Sequence, residues 1–181
     1  MAKFQIARVP AEHSRLRRTI DQIVAAINKS VTTLDSSVTQ AGNTAATETD
    51  LFSYTAPIGT LSDVGDSLEF SACGTFAATA SVNKVIKVLF GGTTIYNSGS
   101  LAITTAKSWA LHGSVTKVSA TSQKCVVTIS TSDSALVSSV TYTAATEALT
   151  ATVVLRVRGN GTNASDVIGQ RWKVLHSPGL E

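Results

Sequence analysis

Near the N-terminus seven apolar residues, Leu16, Ile20, Ile23, Ile27, Val31, Leu34 and Val38, succeed one another at intervals of three and four. That spacing predicts an amphipathic helix with a single apolar stripe. Equivalent positions recur with a period of about 3.67 residues per turn, which favours a straight or slightly right-handed bundle. Ser14 suits the N-cap after Pro10, and Gly42 with Asn43 supplies a stop. Beyond Asp50 the period changes to two. The segments 51–55, 67–72, 82–90, 93–97, 109–118, 124–131, 136–142, 149–158 and 167–175 read as strands. Turn signals at residues 56–59, 91–92, 97–99, 132–133 and 159–161 separate them. The division expected is an extended arm at 1–13, a helical stalk at 14–41, a linker at 42–50 and a mainly β head at 51–181. With no helical pattern between its strands, the head reads as an antiparallel β-sandwich or jelly roll.

The stripe has two possible destinations, the chain's own β core or partner helices. Ile, Leu and Val at both seam positions shift coiled coils toward trimers. Thr32, Thr33, Ser36, Ser37 and Thr39 are weak helix formers, so an isolated helix would be marginal. A trimeric coiled-coil stalk built on Leu16, Ile20, Ile23, Ile27, Val31, Leu34 and Val38 is therefore the expectation. Strand 82–90 is apolar on both faces, Val85 and Leu89 on one and Ile86, Val88 and Phe90 on the other. A strand of that kind has to be covered twice, which makes these five residues the expected head interface of a trimer.

Composition points the same way. The 181 residues are 43% hydrophobic but only 6% aromatic and 15% charged, a balance that suits a β core and not a disordered chain. No apolar run approaches the length of a membrane span, so no membrane partner is expected. Six basic residues against two acidic ones give the first thirty residues a net +4, leaving −1 for the remainder of the +3 total. A basic arm of this kind can seek phosphate backbones or an acidic protein surface, or Arg15, Arg17 and Arg18 simply solubilise the start of the helix; no specific nucleic-acid partner is expected.

Candidate chemistry is sparse. Cys73 and Cys125 are too far apart in sequence for a zinc site or a disulfide scaffold, and Cys125 shares a face with Val127 and Ile129. His13, His112 and His176 stand apart from one another and from any ligand pattern. Asp63, Asp66 and Glu69 lack the ligand number and glycine placement of a calcium loop and read as a solvated turn. Gly159-Asn160-Gly161 superficially matches a dinucleotide fingerprint, but a strand-like pattern follows where a helix is required, so a hairpin loop is expected. No nucleophile elbow and no paired acid and base are visible. No catalytic residue, metal or cofactor is assigned, and the chain reads as non-enzymatic.

The stretch Leu51–Gly99, continued by Ser108–Lys124, carries an aromatic-Thr-x-Pro opening (Tyr54 to Pro57), a Leu-x-x-x-Gly-Asp-x-Leu turn (Leu61 to Leu68), a lysine-bearing strand ending in Phe90-Gly91-Gly92-Thr93, and Trp109 at the start of the next long strand. In these features it resembles the β-sandwich heads of tailed-bacteriophage virion proteins. The resemblance covers more than a third of the chain. It implies a homotrimeric short fibre, spike or capsid decoration protein, made in the host cytoplasm and held on the capsid or tail. Lys3, Phe4, Ile6, Arg8 and Val9 of the N-terminal arm are the expected particle anchor. A second reading is a host-attachment head that binds a surface glycan, for which Tyr96, Trp109 and Tyr142 are the available rings. Trp109 shares its inward face with Leu111 and Val115, which assigns it to the core.

Overall fold

The computed structural model describes residues 17–23, 30–44, 46–79, 83–132 and 138–179. The chain divides into two units, Met1–Ser30 and Val31–Glu181. In the first, residues 17–23 are helical, and Ile20 and Ile23 lie half-exposed on them. Leu16, Ile27 and the anchor residues Lys3, Phe4, Ile6, Arg8 and Val9 fall outside the described residues.

The second unit is mainly β and antiparallel throughout. Its described strands are β1 (Thr32–Ser37), β2 (Ala41–Gly42), β3 (Thr49–Ala56), β4 (Ser67–Phe76), β5 (Val85–Phe90), β6 (Thr93–Asn97), β7 (Lys107–Ser119), β8 (Ser122–Thr131), β9 (Ser138–Ala145), β10 (Val153–Asn160) and β11 (Val167–Ser177). A large sheet runs β1-β11-β4-β7-β8-β9, with β2 also on β11, and a smaller one runs β3-β10-β5-β6. Alternation explains the layering: β4, β5, β8 and β10 each bury every second residue. The buried sets of both sheets merge into one core that includes Leu68, Phe70, Phe76, Ile86, Phe90, Trp109, Val127, Leu155 and Trp172.

The long helical stalk is overturned beyond residue 30. Residues 32–37 form β1 and pair with β11, from Thr32 opposite His176 to Ser37 opposite Trp172. Val31 and Val38 flank that strand and are exposed, whereas Leu34 packs on the core. The physical reason lies in composition and in one partner. Val, Thr and Ser favour a pleated, half-buried edge over a helix, and Asp35 accepts the Trp172 indole N–H at 3.0 Å. The 3–4 spacing of three apolar residues is too short a signal to outweigh a sheet edge waiting for a strand.

Trp172 joins the layers. Its ring stacks on Phe52 of β3 at 5.7 Å and 5°, and tilts against Phe70 of β4 at 6.1 Å. Around it the loops are held by buried polar groups. Lys84, fully buried, donates from Nζ to the carbonyls of Ala77 (2.6 Å), Thr79 (3.4 Å) and Ile103 (2.5 Å). Burial lowers its pKa while the Asp166 charge works the other way. Asn43 donates to Asn163 O and accepts from Val167 N. At the opposite end Gln123 exchanges two hydrogen bonds with the Glu147 backbone, and Glu147 Oε1 accepts from Gly92 N, Thr93 N and Thr93 Oγ1. Gly91 sits there at φ 59, and a Cβ on it would run into the Glu147 carboxyl, so glycine at 91 is favoured on both counts.

Asp66 is not a solvated turn residue as the sequence suggested. It is buried and accepts from Ser62 Oγ (3.1 Å), Asp63 N (2.8 Å) and, across the fold, Gly179 N (2.9 Å). It thereby fastens the C-terminal segment to the turn before β4. Burial resists its ionisation, but the hydrogen bonds from Asp63, Gly179 and Ser62, with the His176 charge, together hold its pKa below the ordinary carboxylate range. Cys125, buried among apolar neighbours, has its thiol pushed up to about 11 by that burial.

Two measurements follow from this packing. Asp35→Ala leaves a buried indole N–H without its acceptor and should cost about 1–3 kcal/mol in urea unfolding. Trp172→Ala should cost about 3–5 kcal/mol, and the double variant less than the sum, because both changes break one contact. Equal stability of Asp35→Ala and wild type would disprove the tie between β1 and the core. For Asp66, a folded pKa below the unfolded one means its contribution is complete above about pH 4 and is lost as the pH falls through the folded value. Asp66→Asn should therefore lower the melting temperature at pH 7, with the gap from wild type narrowing under acid.

Candidate functional site

The expected head interface splits between two environments. Ile86, Val88 and Phe90 are fully buried within a single chain, so they belong to its own core and are unavailable to a partner. Val85 and Leu89 alternate with Lys87 on the outward face of β5 and remain half-buried. The chain's own core thus covers one face of the strand, and on the other face Lys87 interrupts the apolar row.

That neighbour is β10, whose register places Arg156 opposite Leu89, Arg158 opposite Lys87 and Asn160 opposite Val85. On its other side Arg158 faces Asp50 and Arg156 faces Ser53 of β3. Arg158 and Lys87 are like charges on directly opposed positions, an arrangement that destabilises a sheet unless something intervenes. Two carboxylates do. Glu48 reaches Lys87 Nζ at 3.1 Å and Arg158 Nη1 at 3.8 Å, and Asp50 accepts from Arg158 Nε and lies 3.4 Å from Arg156 Nε. Each acid thus bridges two bases, and the ladder of three cations and two anions keeps one unit of positive charge. Val85, Leu89 and Val154 share this outward face with the arginines and are half-buried. The result is a charged ladder that shares its face with half-buried apolar side chains.

The large sheet presents a different outward face. Ser71, Ala110, His112, Lys124, Ser130, Val140, Tyr142 and Ala144 are exposed there. A shallow groove lined by Cys73, Gly74, Ala110, Ser130 and Gln170 crosses it. Of the three rings considered for a glycan, Tyr96 and Trp109 are buried at 3% and 2% exposure, whereas Tyr142 is 64% exposed. Trp109 lies in the core, as its strand face indicated. Among the described residues no group of three or more His, Cys, Asp or Glu side chains is placed to hold a metal. The Gly159-Asn160-Gly161 segment ends β10 and opens a loop into β11.

The ladder was legible only in part. Arg156 and Arg158 stand out as outward charges in an apolar strand, but their acids precede and open β3, about a hundred residues away, and only the sheet order brings them together. Comparison with family models and with curated proteins returns no match.

Removing one bridge tests the ladder. Asp50→Asn leaves Arg156 without its acid and Arg158 with only the longer contact to Glu48. The expected loss is about 0.5–1 kcal/mol at low salt, shrinking as salt is raised. A loss independent of ionic strength would show that Asp50 acts through packing alone.

Proposed function

We propose that this chain is a non-enzymatic structural protein of a tailed-phage particle, a short homotrimeric projection that presents a β-sandwich head and is held on the capsid or tail by its N-terminal arm. The observation that carries the trimer is the pair Ile20 and Ile23, 49% and 52% exposed on the helical residues of the N-terminal unit. Ile20 and Ile23 stand three residues apart on one side of the helix, and a threefold bundle suits Ile at such positions. The charged ladder with Val85 and Leu89 offers a second contact area on the head. The resemblance of residues 51–99 and 108–124 to virion heads supports the setting, since its motifs fall on the turns and strands β3 to β7.

The architecture supports a structural role in a further way. The buried polar residues Lys84, Asn43, Gln123 and Asp66 are engaged in fastening loops and the C-terminal segment to the core. Their hydrogen-bonding capacity is used to stiffen the head. The second reading, a glycan-binding head, retains one exposed ring, Tyr142, and a glycan array is its direct test.

Sedimentation velocity at low micromolar concentration tests the trimer. Wild type should sediment at three times the 18.8 kDa chain mass. Ile23→Asp should sediment as monomer with the head's melting temperature unchanged, because the residue is exposed in the single chain. A monomeric wild type would sink the proposal.

A further inference from the structure

We infer that strand β9 is a self-pairing edge through which two copies of the chain join their large sheets. The inference starts from the four outer strands of the two sheets. An edge strand exposes a row of unpaired N–H and C=O groups, and proteins ordinarily blunt it with charge, proline, a bulge or brevity. β1 is broken by a register shift between Thr33 and Asp35 and carries a carboxylate. β3 contains Asp50 and faces a shift in β10. β6 is five residues long and faces a shift in β5 between Val88 and Leu89. β9 has none of these devices. It pairs with β8 over eight consecutive positions without a shift, and its sequence from Ser138 to Ala145 holds no charge, no proline and no glycine.

Its side chains sort by face. Inward, Thr143 Oγ1 donates to Ile95 O at 3.2 Å and Ser139 hydrogen-bonds Tyr96, which fastens β9 beside β6 without joining the two backbones into one sheet. Outward, Val140 is 68% and Tyr142 64% exposed. On β8, Val126 lies opposite Tyr142 and Thr128 opposite Val140, so both exposed side chains have uncharged neighbours across the ladder, and the exposed Lys124 stands one pair further on, opposite Ala144.

The occupant follows from this chemistry. An uncharged edge offers nothing to select an acidic or basic strand, whereas antiparallel pairing of β9 with a second β9 is self-complementary. It brings Val140 and Tyr142 of one copy beside Tyr142 and Val140 of the other, the aromatic and β-branched cross-strand contact that stabilises sheets. The twofold axis makes the contact isologous and closed. The area is small, because Ser, Thr and Ala make up most of the strand, so the pairing falls below the ~1,200 Å² of a stable standard interface and is weak between single chains. Several copies held on one particle would strengthen it by avidity. The pairing itself does not depend on the trimer.

A concentration series by sedimentation velocity, carried to several hundred micromolar, reads it out. Wild-type trimers, with three β9 edges each, should associate into larger species, and Ile23→Asp, which lacks the N-terminal contact, should pass from monomer to dimer. Tyr142→Lys and Tyr142→Glu should each weaken that association at least tenfold at unchanged melting temperature. An equimolar mixture of Tyr142→Lys with Val140→Glu should restore it, because residue 142 of one copy then meets residue 140 of the other with opposite charge. Tyr142→Glu with Val140→Lys provides the reciprocal exchange should either variant of the first pair melt early. Association unaffected by all four substitutions, or lost in them and not restored by mixing, would overturn self-pairing. So would a chain that shows no association beyond the trimer at any concentration. A monomeric wild type at low micromolar concentration that still dimerises through β9 would count against the trimer alone.

Discussion

The stack of Trp172 on Phe52 is the contact on which the rest of the fold depends. Antiparallel sheets can pack face to face in several offsets, and alternation alone does not choose among them. A wide ring on β11 lying flat against a ring on β3, with Phe70 tilted on its other flank, fixes where the two sheets meet. Room for it is made by a glycine: a Cβ at Gly169 would strike the Phe52 ring. The same indole has one polar atom, and Asp35 supplies its acceptor. A buried N–H left unpaired would cost as much as a typical single hydrogen bond contributes, or more. The edge strand β1 is therefore drawn onto β11 by the core itself.

With the offset fixed, the loops are stiffened by charges and amides placed inside. Lys84 has three carbonyls around its ammonium, and Asp166 receives Asn163 N and the Thr79 hydroxyl. Burying such groups is favourable only when nearly every donor and acceptor is matched. Matched, they make the loop conformations unique in a way that apolar contacts do not. At the other end Asp66 and the Gln123–Glu147 exchange do the same for the turn before β4, the C-terminal segment and the β5–β6 turn.

Much of this was legible in the sequence. The nine strands from Leu51 onward announce themselves by alternation and turn residues, and the segment 93–97 coincides with β6 to the residue. Cys125 and Trp109 were assigned to the core from the faces they share with Val127 and Leu111, and both are buried. The strands β1 and β2 were not legible, because Val31, Leu34 and Val38 continue the helical spacing of the preceding stripe. Only the Asp35–Trp172 contact, 137 residues apart, reveals that the chain has already entered a sheet. Val82–Phe90 looked doubly apolar for a related reason. A sequence shows which residues are hydrophobic, but the arginines that stand opposite Leu89 and Lys87 in the sheet come from a strand about seventy residues away.

The outer surfaces of the two sheets differ in the forces they offer to anything that approaches. The smaller sheet wears a ladder in which each carboxylate holds two bases, so its contacts are sensitive to the charge of whatever approaches and to salt. The larger sheet ends in an edge with no charge at all, where backbone hydrogen bonding and two exposed side chains are the available forces. Charge selects among different surfaces, whereas an uncharged edge is satisfied best by a strand like itself. The two surfaces share no loop or residue, so a contact made through one leaves the other available. The separation is built into the topology, since β10 lies inside one sheet and β9 at the rim of the other.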